Sequence, residues 1–197
     1  MMTTIYTKTG DDGTTGRLFG GRVSKADALV DACGDIDEAL AALGVARQAL
    51  DEAAATSTPE AGAEVADLSA RVLHIQRQMF VVAADLMANP RARAKLVPGI
   101  SLAGADLTDS LERAIDELVE QRPLRPLFIV PGTTRASAAL DLARTVLRRA
   151  ERHTLGARNQ GHEVTDEVIA WRNRAGDLLY VLARHAVGDL AEPPSHT

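Results

Sequence analysis

Residues 140–155, LDLARTVLRRAERHTL, constrain the fold more than any other stretch. Leu140, Ala143, Val146, Leu147, Ala150 and Thr154 recur at steps of three and four, the period of one buried helix face. At about 100° per residue, Arg144 and Glu151 fall on one flank of that stripe, with Arg148 just beyond them on the same side. Arg149 lies on the other flank, and Arg152 points nearly opposite the stripe. Two cations and a carboxylate therefore line one edge of a helix whose other side is packed. A solvated charged face with i,i+3 and i,i+4 pairing explains the same pattern, so the rest of the chain has to decide.

Two more stretches repeat the four–three spacing. Leu29, Cys33, Ile36, Leu40, Leu43 and Leu50 predict a long helix from Ser24, interrupted only at Arg47. Asp37 sits at the edge of this stripe, placed either to meet a partner or to stand idle in solvent. After a low-complexity connection over 51–62, Val65, Leu68, Val72, Ile75, Met79, Val82 and Leu86 predict a second helix that Asn89-Pro90 ends. His74 and the Met79–Phe80 pair read as packing rather than ligands. Residues 91–105 read as an irregular crossing. Leu107, Leu111, Ile115 and Leu118 then mark a shorter helix, with Thr108 or Asp106 as N-cap. A fifth helix carries Val168, Ala175, Leu179, Leu182 and Ala186 on one face and Asn173, Asp177 and Tyr180 on another. The expectation is an all-α, five-helix up-and-down bundle, organised as one domain: a loop over 1–25, helices over 26–187 and a flexible tail over 188–197. Aromatic residues at only 3 % agree with helices rather than a sheet.

Three segments interrupt the helices. Thr3–Lys25 holds five glycines among hydroxyl residues, with Lys8 and Lys25, and shows neither helical nor strand period. Such a stretch is either a flexible arm or a cradle that turns N–H groups toward phosphates; the Walker A spacing is absent. Residues 123–134, PLRPLFIVPGTT, place Phe128 in a short apolar run between Pro126 and Pro131, as a core plug or a ligand wedge. The last nine residues read as a frayed tail.

The net charge of −5 argues against a general nucleic-acid binder, so an anionic ligand must be met by a local cationic cluster. Cys33 is the single cysteine, which excludes an internal disulfide and fits a reducing cytoplasm. The N-terminal residues lack a signal peptide's apolar core, and no apolar run approaches the roughly 20 residues of a membrane span.

YTKTGDDGTT, LFGG, GDIDEAL, FIVPG, ARTVLRRAER and RNRAGDLLYVLAR occur here in the order found in PduO-type ATP:cob(I)alamin adenosyltransferases. The chain resembles that family from about Tyr6 to Arg184. The resemblance implies an enzyme that transfers the 5′-deoxyadenosyl group of ATP to cob(I)alamin, with Mg²⁺, as a homotrimer with an active site at each subunit interface. It assigns Thr7, Lys8, Thr9, Gly10, Thr14, Thr15 and Lys25 to the triphosphate cradle. Arg148, Glu151 and Asn173 become the ATP contacts on the helical side. Arg144 and Asp37 become a pair across the interface, and Phe128 the aromatic beneath the corrin ring. It gives no metal ligands. A flavin reductase and a cobalamin-dependent mutase are the partners it suggests.

The chain departs from the family pattern at several positions. Leu40 stands where the family usually has asparagine. RNRAGD replaces LNRLSD, so Arg172 falls in the apolar stripe and Gly176 replaces a serine. PGT replaces PGG, and Cys33 replaces a tyrosine. These changes bear on the shape of the corrin pocket. Two other readings remain at this level: a non-catalytic corrinoid carrier or escort, and a helical oligomerisation module. The second does not account for the N-terminal loop.

Overall fold

The computed structural model describes residues 5–196; Thr3 and Thr4 of the arm and Thr197 of the tail lie outside the described residues. The fold is mostly helical. A hairpin of β1 (Thr14–Gly16) and β2 (Arg22–Ser24) precedes α1 (Ala28–Thr56) and α2 (Pro59–Leu86). A 3-10 helix (Pro90–Lys95) then leads to α3 (Ala105–Gln121), α4 (Arg135–Asn159) and α5 (Asp166–His185). α4 packs along α1 and α5, α2 along α1, and α3 along α5. No helix among the described residues is long and apolar enough to cross a membrane.

α1 and α4 pack closely along each other, and alanines are prominent among the buried residues of both. Ala32, Ala39 and Ala46 on α1 and Ala136, Ala143, Ala150 and Ala157 on α4 are all buried, while Cys33 and Leu40 are only half-buried. The seam is thus shifted from the one that the large apolar residues predict. Small side chains let two helix backbones approach closely, and leucines at Leu29, Leu43, Leu140 and Leu147 fill the space beside them.

Several expected boundaries move. α1 begins at Ala28 rather than Ser24, because the Asp27 side chain accepts from the Leu29 N–H and closes the helix start. The connection over 51–62 is mostly helix: α1 continues to Thr56, and Thr58 caps α2 with Pro59 in its first turn. Alanine's helix propensity overrides the low-complexity look of that stretch. Neither Thr108 nor Asp106 caps α3; Gly104 does, without a side-chain bond. The arm does contain strands, three residues each, paired Thr14 to Ser24 and Gly16 to Arg22. Met79 is buried as expected, but Phe80 is exposed, and His74 bonds Gln78.

Candidate active site

α4 presents its polar edge as the helical period requires. Arg144 and Arg148 line an open cleft of about 610 Å³ between α3, α4 and α5, together with Glu112, Arg174, Asp177 and Tyr180. Glu151 lies one turn further along α4 and accepts a hydrogen bond from Asn173 Nδ2 of α5 at 3.3 Å. The structure therefore brings Arg148, Glu151 and Asn173 onto one face. Gly176 lies against Arg148: a Cβ at this position would be in ordinary contact with the Arg148 Cγ, at 3.7 Å.

Arg144 is held within its own chain. Its Nε bonds Asp141 at 3.3 Å, and its guanidinium lies 5.8 Å from the centre of the Tyr180 ring. Asp141 is buried and also accepts from Arg184 Nη2 at 2.5 Å; Arg184 in turn pairs with Glu192 at 2.9 Å. Burial pushes the Glu192 carboxyl above its ordinary range, against the pull of Arg184. Asp37 is exposed on α1, and among the described residues it forms no ion pair.

Phe128 is not a core plug. It is 82 % exposed, because the prolines on either side keep its segment out of a helix and hold it on the surface. The C-terminal residues run beside it: Val130 N–H donates to Pro193 O and Ser195 N–H to Phe128 O, each at 2.9 Å. The Glu192 side chain and its carbonyl, which accepts from Arg125, anchor that pairing. Tail and loop thus form a short two-stranded contact where a frayed end was expected.

The arm is organised by Arg22. Its guanidinium donates to the Thr9 carbonyl, to Thr14 Oγ at 2.7 Å and to Thr14 O at 3.2 Å, and it pairs with Asp12 at 3.4 Å. Asp12 accepts from both the N–H and the hydroxyl of Thr14, and these bonds hold its carboxyl below the usual range. Thr14 is therefore engaged inside the arm, and Thr7 and Thr9 bond each other at 2.8 Å. Thr15 pairs with Val23 in the hairpin.

Gly10 has a reason to be glycine: a Cβ there would meet Lys25 Nζ at 3.2 Å. The Lys25 ammonium thus lies directly over the glycine turn. Lys8 takes a left-handed φ of 59°, which costs a non-glycine residue about 1–2 kcal/mol. A strained lysine beside a glycine turn and a second lysine make a compact cationic loop. Leu18 ties the arm to the end of α2 through Met87 and Asn89, and Arg17 donates to Ala88 O at 2.6 Å. Among the described residues, no hydrogen bond or ion pair joins the arm to Arg148, Glu151 or Asn173.

Three groups escaped sequence reasoning. Asp35, buried on α1, takes Arg149 Nε at 2.8 Å and His153 Nδ1 at 2.5 Å, and Glu38 takes the other arm of Arg149. The Asp141–Arg184–Glu192 chain links α4, α5 and the tail. Arg174 bridges Glu112 and Asp177 at 2.8 Å each, closing one wall of the cleft. The only sequence signal was the shared face of Asn173, Asp177 and Tyr180; most of the partners come from other helices or from the tail.

A model of the family described as cobalamin adenosyltransferase matches residues 5–186. A corrinoid adenosyltransferase from Citrobacter freundii is 34 % identical over 91 % of this chain and 93 % of that protein. One from Mycobacterium tuberculosis is 36 % identical over 95 % of this chain and 91 % of its own length. Among solved structures, a phenylalanine-to-alanine variant of a PduO-type ATP:corrinoid adenosyltransferase from Lactobacillus reuteri, complexed with cobalamin and ATP, superposes with a TM-score of 0.80. It is 26 % identical, over 98 % of this chain and 100 % of that one.

Proposed function

We propose that this chain, which belongs to the cobalamin adenosyltransferase family, transfers the 5′-deoxyadenosyl group of ATP to cob(I)alamin. The observation that carries this reading is the extent of the family match, residues 5–186. It takes in the arm, the Phe128 loop and the cleft helices together rather than one motif.

Cob(I)alamin is itself a strong nucleophile, so the chain supplies none. The Co(I) electron pair attacks C5′ of ATP, the C5′–O bond breaks, and its pair leaves on triphosphate. Cobalt ends as Co(III) bonded to carbon. The protein's work is to hold C5′ in line with cobalt and to stabilise the charge that gathers on the leaving group. Arg148 serves that charge from the helical side; Lys8, Lys25, Thr7, Thr9, Gly10, Thr14 and Thr15 serve it from the arm. Glu151 and Asn173 orient the nucleoside. Mg²⁺ in this reading is held by the triphosphate. Such an ion is carried by phosphates and water rather than by a protein cage.

The working unit is a homotrimer in which the arm of one chain meets the α4–α5 face of the next. Supporting this, the arm makes no polar contact with that face in its own chain, and Asp37 stands exposed and without an ion-pair partner among the described residues. Asp37 then pairs with Arg144 of a neighbour. Phe128 lies beneath the corrin ring, displaces the lower axial ligand and raises the Co(II)/Co(I) potential; an exposed phenyl ring is available for that contact. A flavin reductase supplies the electron and a cobalamin-dependent mutase receives the product, in the cytoplasm.

The test is anaerobic incubation with ATP, Mg²⁺ and chemically reduced cobalamin, followed in the visible spectrum. Conversion to adenosylcobalamin is expected. An unchanged cob(I)alamin spectrum would sink the reading.

A further inference from the structure

Arg172 occupies a place that stability alone does not explain. It is 1 % exposed, on the face of α5 that meets α4. Its Nη1 donates to the Ala150 carbonyl at 3.1 Å, while Nε and Nη2 have no protein partner. Burial pushes the guanidinium down to about 10, and the Glu151 and Asp35 carboxylates pull the other way. Replacing a buried, incompletely paired cation by an apolar side chain is commonly neutral or stabilising. A leucine here would pack without that cost.

The residues next to this contact suggest what the charge is for. Arg172 bonds the carbonyl of Ala150 inside the helix pair, and Asn173 bonds the side chain of Glu151 at 3.3 Å outside it. Consecutive residues of α5 therefore grip consecutive residues of α4, as two rungs of one ladder. The inner rung is shielded from water and the outer rung faces solvent. A helix held only by its alanine and leucine stripe can slide or rotate by a fraction of an ångström. A directed bond from Arg172 to one carbonyl removes that freedom. Its positive charge also attracts the Glu151 carboxylate toward α5, where Asn173 waits.

We propose that Arg172 is a positioning residue: it fixes the rotation and register of α5 on α4, so that Glu151 and Asn173 are presented together to the nucleotide. This rests on the reading of Glu151 and Asn173 as nucleotide contacts. Arg172 itself touches no substrate.

Full-length Arg172→Leu, Arg172→Lys, Glu151→Gln and the double variant Arg172→Leu/Glu151→Gln are compared by thermal melting. Steady-state kinetics use pre-reduced cob(I)alamin and varied ATP. Arg172→Leu is expected to melt no lower than the parent, yet to raise KM for ATP about 10-fold with a smaller change in kcat, as misplacement of a binding pair predicts. Arg172→Lys recovers part of that KM, since an ammonium still reaches the Ala150 carbonyl. The double variant matches Glu151→Gln alone, because both changes act through the same carboxylate. Parental KM in Arg172→Leu, while Glu151→Gln raises it, would overturn the positioning role and leave the nucleotide contact standing. Parental KM in Glu151→Gln would remove the contact itself and the proposal's premise. Early melting of both Arg172 variants, with parental KM when kept cold, would make Arg172 a packing residue and overturn the proposal.

Discussion

The arm and the α4–α5 face are both assigned to the nucleotide, yet they are built by different means. The face is set by two long helices whose buried stripes fix the direction of every polar residue between them. Removing one exposed polar side chain there leaves the two helices beneath it in place. The arm has two three-residue strands and no buried stripe; beside its hairpin pairing and its ties to the end of α2, one guanidinium, Arg22, holds Thr9, Asp12 and Thr14 together. Loss of that side chain releases Thr9, Asp12 and Thr14 together. In the proposed function, rigid helices carry the residues that aim at the reaction, and the arm carries a backbone that closes on phosphates.

The largest effect is expected at Arg148. Arg148→Ala should lower kcat by about 10²–10³-fold, the scale for losing one donor to a developing anion. Its melting temperature should stay near the parent's, because the side chain is exposed. A sharp fall in melting temperature would mean that the face is not the rigid half of the pair.

Phe128→Ala comes next. Turnover from Co(II) should fall by at least roughly 10-fold, since loss of the lower-ligand exclusion acts on the redox step. Turnover from pre-reduced Co(I) should fall less, and melting should not change, because this ring is solvent-exposed. Equal losses from both cobalt states would detach Phe128 from the reduction.

Arg22→Ala sharpens the comparison from the other side. It removes the bonds that hold Thr9, Asp12 and Thr14 together, so KM for ATP should rise about 3–10-fold while helical circular dichroism stays intact. An unchanged KM would show that the arm's shape does not depend on Arg22.

The smallest effect concerns pH. Burial, with Arg122 and Arg71 nearby, depresses the His185 imidazole below its ordinary range, against the bond to Leu118. Above pH of about 6.5 the ring is neutral in both folded and unfolded chains, so it contributes no pH dependence. As pH falls, the unfolded chain takes up the proton first and stability is lost until the folded pKa is passed. Between pH 8 and 5.5, the parent's melting temperature should fall further than that of His185→Gln. Parallel curves for the two would remove His185 as a contributor.

The helices were legible because stripes such as Val65 to Leu86 repeat with one period, and the charged edge of α4 followed from the same geometry. The alanine seam was not, since alanine carries little hydrophobic contrast in a chain rich in it. The hairpin escaped because three-residue strands between glycines show no alternation. Phe128 could be placed between prolines but not inside or outside, as burial depends on what the neighbouring elements leave uncovered. Arg172 was visible as a charge in an apolar stripe, but its reason lies in a carbonyl of α4 that no sequence pattern announces. Among the described residues the arm makes no hydrogen bond or ion pair with Arg148, Glu151 or Asn173, so a single chain does not display the proposed meeting of arm and face.

That meeting is the central claim, and complementation tests it most directly. Lys8→Ala damages the arm and Arg148→Ala damages the face, so each homotrimer should be nearly inactive. Co-expressed and co-purified under two different tags, the mixed trimers should regain activity. Every mixed trimer of either composition places an intact arm against an intact face at about one of its three sites. Mixed trimers no more active than the two variants alone would contradict an active site shared between subunits.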